Sequence, residues 1–299
     1  LYCDRPNRFE AWDIDSFYRE GSPEKAELIS PLKVTTGPCG SYGHYVLKIG
    51  DSVITQTASL ITGTKLLQFD TKIDFCAERK MLRVEFPTSI NSSNAHFDIP
   101  YGYVSRPTYS NTSWDAARFE VVGQRYADIS DGNCGVALLN DSKYGHRIFD
   151  GIIDLCLLRS PKYPDWDADQ GIHEFSYGVL PHQNDLVHSK VMAYAAMFNR
   201  PVTIIPHRKP MRMPLFRYDG QYSTMEIIKK AEKSDNWVVR LVENAGLGDT
   251  GIIEIPSSAQ VANCDLVELH NDPFEQKEKQ FSITLKPFEI LTLMVRVRN

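Results

Sequence analysis

Three strings between Ser105 and His182 decide how this chain folds: SRPTYSNTSWDAARFEV (Ser105–Val121), GVALLNDSKYG (Gly135–Gly145) and LLRSPKYPDWDADQGIHEFSYGVLPH (Leu157–His182). Each sets a short alternating strand beside a polar loop dense in Asn, Asp, Arg, Tyr and His. Loops carried on a rigid sheet are where a β protein places its binding groups, and this mixture suits a polar, ring-shaped ligand such as a sugar. Long polar loops also occur on antiparallel sheets with no ligand at all, so the strings alone leave both readings open.

Outward from these strings, period-two alternation dominates. In Leu82-Arg83-Val84-Glu85-Phe86 the apolar residues share one face and the charges the other; Trp237, Val239 and Leu241 repeat the pattern against Arg240. Leu291, Leu293, Val295 and Val297 do the same against Thr292, Arg296 and Arg298. Such strands bury one face and wet the other, as antiparallel sheets do. Turn clusters recur at TTGPCGSYG (Thr35–Gly43), SDGN (Ser130–Asn133) and GLGD (Gly246–Asp249). The expectation is an all-β protein of stacked sheets, with no repeat of propeller or solenoid length. One segment pulls the other way: Ser223-Thr-Met-Glu226 has capping-box spacing and IIKKAEK follows it. We read Tyr222–Lys229 as a strand turning at Glu232–Asp235 into Trp237–Leu241.

Three prolines (Pro206, Pro210, Pro214) among His207, Arg208, Lys209 and Arg212 mark Pro201–Tyr218 as a linker or crossing loop. The expected division is an N-terminal docking arm over 1–30, a large antiparallel β-sandwich over 31–206 and a smaller C-terminal β-sandwich over 207–299. In the arm, Trp12, Phe17 and Tyr18 stand among acids and are expected to pin it to a neighbouring surface.

Composition excludes several classes. With 42% hydrophobic and 24% charged residues the 299-residue chain can bury a proper core. The formal charge of −5 and the lack of a basic, aromatic-interleaved stripe argue against a nucleic-acid partner. No apolar run approaches the roughly 18 residues of a membrane span. The six cysteines (Cys3, Cys39, Cys76, Cys134, Cys156, Cys264) are scattered, which reads as free thiols in a reducing compartment. The first residue is Leu1 and no signal peptide follows, so a fragment or processed product is expected.

The three strings resemble the C-terminal half of the family 38 α-mannosidases, above all the cytosolic and vacuolar branch. That branch reads close to RPTHxNTSWDxARFEV, GxALLNDCKYG and LLRxPKxPDxxADxGxHEFxYALxPH. EAWDIDSFY (Glu10–Tyr18), RKMLRVEFP (Arg79–Pro87) and VVRLVENAG (Val238–Gly246) also have counterparts, so the likeness runs through nearly the whole chain. It implies a galactose-mutarotase-like supersandwich followed by a smaller sandwich. It further implies a parent that hydrolyses terminal α-mannosyl residues of oligosaccharides with retention, through an aspartate nucleophile and a zinc (or cobalt) ion. Both belong to an N-terminal barrel whose motifs do not occur in this chain. The expected partners are that catalytic domain, a mannose-containing oligosaccharide and a further copy in a homo-oligomer. The expected location is the cytoplasm, with vacuolar or lysosomal delivery as the alternative.

By the same resemblance, the substrate-cleft candidates are Asn140, Asp141, Lys143 and Tyr144 in the LLNDxKYG loop, Arg159 in LLRSPK, and Asp169 and His173 in ADQGIHEF. An Arg fork and Asp or Asn acceptors suit vicinal hydroxyls, and Tyr offers a sugar a stacking face. The bland alternative is that Asn140-Asp141 and Arg159-Asp169 merely tie loops together. Departures from the family pattern are Tyr109 where it has His, Ile172 where it has Arg, and Phe75-Cys76-Ala77 where it has Trp-His-Glu. No catalytic or metal-binding residue is assigned within the chain. His96-Phe97-Asp98 has metal-ligand spacing but lies in an alternating strand, where a structural role is expected. Asp165, Asp167 and Asp169 mimic the start of a calcium loop, yet Gln170 and Ser176 occupy the positions that need Gly and an acid. The triplet should be exposed or held by Lys162 or Arg159. The sequons at Asn91, Asn111 and Asn140 carry little weight, and NTSWD is read as strand-edge turn chemistry. Two rival functions stand beside the mannosidase reading. One is a free-standing carbohydrate-binding module; the other is a sugar epimerase, which lacks a suitable His/Glu arrangement beyond Glu174.

Overall fold

The structure, a computed structural model, describes residues 1–200, 202–206 and 215–297. It separates into two units, Leu1–Asp98 with Val104–Val202, and Ile99–Tyr103 with Thr203–Asn299. Pro201, His207, Arg208, Lys209, Pro210, Arg212, Pro214 and Arg298 lie outside the described residues, as does the start of the C-terminal domain expected at 207.

In the first unit a ten-stranded antiparallel sheet runs in the order Glu27–Leu28, Gly40–Ile49, Ser52–Ile61, Leu67–Phe75, Gly171–Gln183, Cys134–Asn140, Tyr126–Ser130, Asn94–Ile99, Gly102–Pro107. Lys33–Gly37 pairs with Gly40–Ile49 off this path. A second sheet has five strands in the order Tyr2–Cys3, Lys80–Pro87, Ile152–Arg159, Gly145–Phe149, Val121–Val122. The inner faces meet in one core that joins Ile49, Ile54, Ile73 and Phe75 to Leu82, Ile153 and Leu155. That is the large sandwich, and the all-β expectation holds. The second unit pairs a three-stranded sheet (Arg217–Asp219, Asp249–Glu254, Gln280–Leu285) with a five-stranded one. Their shared core includes Val239, Leu241, Ile253, Ile283 and Leu293. Ser223–Lys230 is a strand, paired with Trp237–Glu243 through a bulge between Met225 and Ile227. The capping-box spacing there is spent differently: the Ser223 hydroxyl donates to the Asp249 carboxylate at 2.5 Å.

The one-face-wet reading of the strands needs correction. In the second unit Val238 and Val242 are as buried as Val239 and Leu241, so Trp237–Glu243 is a central strand covered on both sides. The larger departure is in Lys80–Pro87. Arg83, expected in water, has a side chain only 1% exposed. The outer face of its sheet is covered around Arg83 by residues 14–19, which follow the edge strand Tyr2–Cys3. Tyr2 and Tyr18 pack on Met81 there, with Ile14, Phe119 and Cys156 around them. Arg83 donates through Nε to Asp154 Oδ1 at 2.6 Å and lies 3.0 Å from Glu120. Arg19 reaches the other oxygen of Asp154, and the Tyr18 hydroxyl donates to Glu120. Burial alone would hold the Arg83 pKa down, but Asp154 and Glu120 raise it above the usual guanidinium range, so the ion stays charged. Of the three aromatics expected to pin the arm, only Tyr18 is buried, while the Trp12 ring meets Tyr163 edge-on at 6.3 Å. Trp12 is 68% exposed and Phe17 sits at the surface.

A second local expectation also changes. NTSWD is not only a turn: Ser113–Ala116 forms a short helix with a reciprocal cap, Asp115 N–H donating to Thr112 Oγ1 and Thr112 N–H to Asp115 Oδ2, each 3.1 Å.

Two outcomes follow from this packing. Asp154→Ala removes the carboxylate that Arg83 and Arg19 share and leaves the buried Arg83 with Glu120 alone, so urea unfolding should show a loss of about 3–5 kcal/mol. His146 lies in the core, and burial followed by the charges of Arg83 and Arg106 pushes its pKa down to about 3. Below an unfolded value near 6.5 the unfolded chain gains a proton that the native state refuses. Stability should therefore fall as pH drops from about 6.5 towards 3, by up to about 1.4 kcal/mol per pH unit. His146→Leu should flatten that slope in denaturation curves taken between pH 7 and 4.

Candidate functional site

Strand pairing brings two of the three diagnostic loops to one end of the ten-stranded sheet. Gly171–Gln183 pairs with Cys134–Asn140, setting Asn140 opposite Tyr177. The turn after Asn140 therefore lies beside the strand that opens at Gly171, directly after the Asp165–Gln170 loop. Gly171 has φ +93°, a conformation that admits glycine at little cost, and Asp169 just before it also lies at positive φ. Asp141 stitches the two segments: its Oδ2 accepts from Ser176 N–H at 2.9 Å, and its Oδ1 from the Ser142 hydroxyl at 2.9 Å.

Not every candidate reaches solvent. Asn140 is 1% exposed. Its Oδ1 accepts from Ser142 and Lys143 N–H at 3.1 and 2.7 Å, and its Nδ2 donates to Gln124 O at 2.8 Å. It builds the turn and cannot meet a ligand. Arg159 is likewise committed: its Nε donates to Asp4, and its terminal nitrogens donate to the carbonyls of Ala11 and Asp13. This fork grips the arm, not a hydroxyl pair. Its backbone N–H donates to Asp169 Oδ2 at 3.0 Å, which ties the acidic loop down. For Asn140 and the Arg159 side chain the bland reading describes the geometry.

Tyr144 is exposed, and Lys143 and His173 are half-buried. The Lys143 ammonium lies 4.5 Å from the centre of the Phe175 ring. Burial pulls its pKa below the usual range, against the opposing charges of Asp169, Cys156 and Asp141. Tyr144 presents an exposed ring. His173 Nε2 lies 3.1 Å from Asp169 O. Lys143 thus sits over Phe175 within reach of the Asp141 and Asp169 charges, with Tyr144 next to it along the chain and His173 against the Asp169 carbonyl. Phe175 escaped the sequence reading, although its place in the alternation of HEFSY puts it on the same face as His173.

The remaining motifs have structural partners. Asp98 accepts from Arg125 Nε at 2.9 Å and Nη2 at 3.0 Å, and His96 Nδ1 lies 2.8 Å from Ser105 Oγ. Asp165 and Asp167 are exposed, while Lys162 pairs with Glu78 at 2.8 Å and donates to Trp166 O of the same loop at 2.7 Å. Among the described residues no three His, Cys, Asp or Glu side chains converge as metal ligands, so the zinc or cobalt of the family pattern finds no fitting donor set here. Of the departures, Phe75 is in the core, Ile172 is exposed, and Tyr109 lines a separate cleft.

Comparison with known proteins settles the lineage. The model for the glycosyl hydrolases family 38 C-terminal domain matches residues 1–167, more than half of the chain. The chain belongs to glycosyl hydrolase family 38. The family's C-terminal β-sandwich domain matches residues 224–293. The chain is 34% identical over 307 residues to human Alpha-mannosidase 2C1, covering 99% of this chain and 29% of that protein. It is 35% identical over 198 residues to the Alpha-mannosidase of Saccharomyces cerevisiae, covering 62% of this chain and 18% of that one. It therefore spans less than a third of the curated relatives it matches. In fold it is similar to an alpha-mannosidase from Enterococcus faecalis, with a TM-score of 0.72, 19% identity, and coverage of 89% of this chain and 35% of that one.

The contrast within the patch is testable by unfolding. Asn140→Ala removes partners from two N–H groups and a buried carbonyl and should cost about 1–3 kcal/mol. Tyr144→Ala, on the exposed rim, should stay within about 0.5 kcal/mol of the parent.

Proposed function

We propose that this chain is the β portion of an α-mannosidase that hydrolyses terminal α-D-mannosyl residues of oligosaccharides. The observation that carries the reading is the identity with Alpha-mannosidase 2C1 over nearly all of these residues at less than a third of that protein's length. The aspartate nucleophile and a zinc or cobalt ion then belong to polypeptide outside these 299 residues. The sheets scaffold the catalytic domain and bring Asp141, Lys143, Tyr144, Asp169 and His173 to one wall of its cleft. There Asp141 and Asp169 offer acceptors for sugar hydroxyls, Lys143 a donor, and Tyr144 a stacking surface. Asn140 and Arg159 serve by holding that wall in shape. No described helix is long and apolar enough to cross a membrane. The six free thiols suit a reducing compartment, and we place the parent in the cytoplasm as a homo-oligomer.

With added zinc, the 299-residue chain alone should leave an aryl α-mannoside uncleaved, while the longer polypeptide carrying it should turn the substrate over. Clear turnover by the short chain would overturn the division of labour. In the longer polypeptide, Lys143→Met and Asp141→Asn should raise KM for a mannose oligosaccharide about tenfold while leaving aryl-mannoside kcat unchanged, the signature of lost binding to distant sugars.

A further inference from the structure

Within the first unit, a cleft of about 310 Å³ opens between the Arg106–Phe119 segment and the Gly145–Phe149 strand. That is the small end of the range for ligand pockets. Three arginines line it, Arg106, Arg118 and Arg147, against one carboxylate, Asp115, so its walls carry a net positive charge of two. Five other arginines of this unit are neutralised: Arg19, Arg79, Arg83, Arg125 and Arg159 each meet a carboxylate within 3.3 Å. The three in the cleft are not. Arg106 Nη1 is buried without a hydrogen-bond partner among the described residues. Arg147 makes no direct ion pair with them, although the charges of Asp154 and Glu120 act on it, and Arg118 comes only to 4.0 Å of Asp115.

Converging cations without counter-charge are costly unless a ligand supplies it. Their placement is also fixed beforehand. Arg106 lies 4.8 Å over the Phe97 ring and Arg147 4.5 Å over Phe149, so two guanidinium planes are stacked in position without being neutralised. Asp115 is only a partial partner, because its Oδ2 is bound into the Thr112 cap and its Oδ1 stays 4.0 Å from Arg118. Burial, and then the charge on Arg118, hold the Arg106 pKa below the ordinary guanidinium range. Tyr109 adds a half-exposed ring at the rim.

We propose that this cleft binds a phosphate monoester on a ring-bearing small molecule. Arg106, Arg118 and Arg147 grip the dianion, and Tyr109 takes the ring. Forked guanidinium donors match phosphate oxygens, and a dianion balances the cleft charge where a single carboxylate would leave an excess. The site is separate from the Lys143 patch and does not depend on the glycosidase reading.

Titration calorimetry of the full chain with phenyl phosphate, inorganic phosphate and benzoate tests it. Phenyl phosphate should bind with a Kd below about 1 mM, about tenfold tighter than either of the other two. Arg106→Gln should weaken phenyl phosphate at least about tenfold. Arg118→Gln, at a largely exposed side chain, should weaken it as well while leaving the melting temperature unchanged, which guards against misfolding of the first variant. Tyr109→Ala should erase the advantage of phenyl phosphate over inorganic phosphate. No saturation by phenyl phosphate up to about 10 mM, or binding unaltered by both arginine variants, would overturn the proposal.

Discussion

The buried ion cluster of Arg83 and Asp154, closed by Arg19, Glu120 and Tyr18, is what the first unit depends on. It lies on the outer face of the five-stranded sheet, where a sheet of a two-layer sandwich would ordinarily meet water. Asp154 takes Arg83 at one oxygen and Arg19 at the other. A charge this deep is tolerated only when paired, and one of the partners, Arg19, comes from the arm. The arm is thus a third layer whose seat is electrostatic at the centre and aromatic around it, with Tyr2 meeting Tyr18 edge to face at 5.4 Å.

Further out, the same logic repeats at lower stakes. Arg79 holds Glu10 at 2.9 Å, and Glu10 also accepts from the Lys162 N–H at 2.8 Å. Arg159 holds Asp4 and two arm carbonyls. The loop that carries Asp165, Asp167 and Asp169 is tied through Arg159 to the same arm. The shape of the candidate sugar-facing wall is therefore linked to residues that never approach it. Arginine does two jobs in this unit. Five of them clamp carboxylates to build the scaffold, and three converge on a cleft whose charge is left over.

Much of this was legible. Period-two alternation with frequent turn signals led to the all-β fold, because side chains on a pleated strand alternate faces and only one face need be apolar. The strand over Ser223–Lys230 was recovered against its helical spacing. What escaped was burial by distant chain. Alternation in Lys80–Pro87 shows which residues share a face but not what covers it, so Arg83 was read as wet. Met81 in register with Arg83 was the one local hint. Asn140 and Arg159 were misread for a related reason: residue types that suit sugar hydroxyls also suit backbone groups, and only the fold shows that Gln124, Asp4 and Asp13 claim them first. Phe175 was missed because an aromatic in an alternating strand looks like ordinary core.

The central claim is that residues 1–20 form a structural layer sealed by buried charge. Native-state amide hydrogen exchange tests it most directly. The Asp4 N–H, which donates to Arg79 O at 2.8 Å, and the Tyr18 N–H should exchange as slowly as amides of Lys80–Pro87 and lose protection together with them. Arm amides that exchange at free-peptide rates while Lys80–Pro87 stays protected would contradict the account.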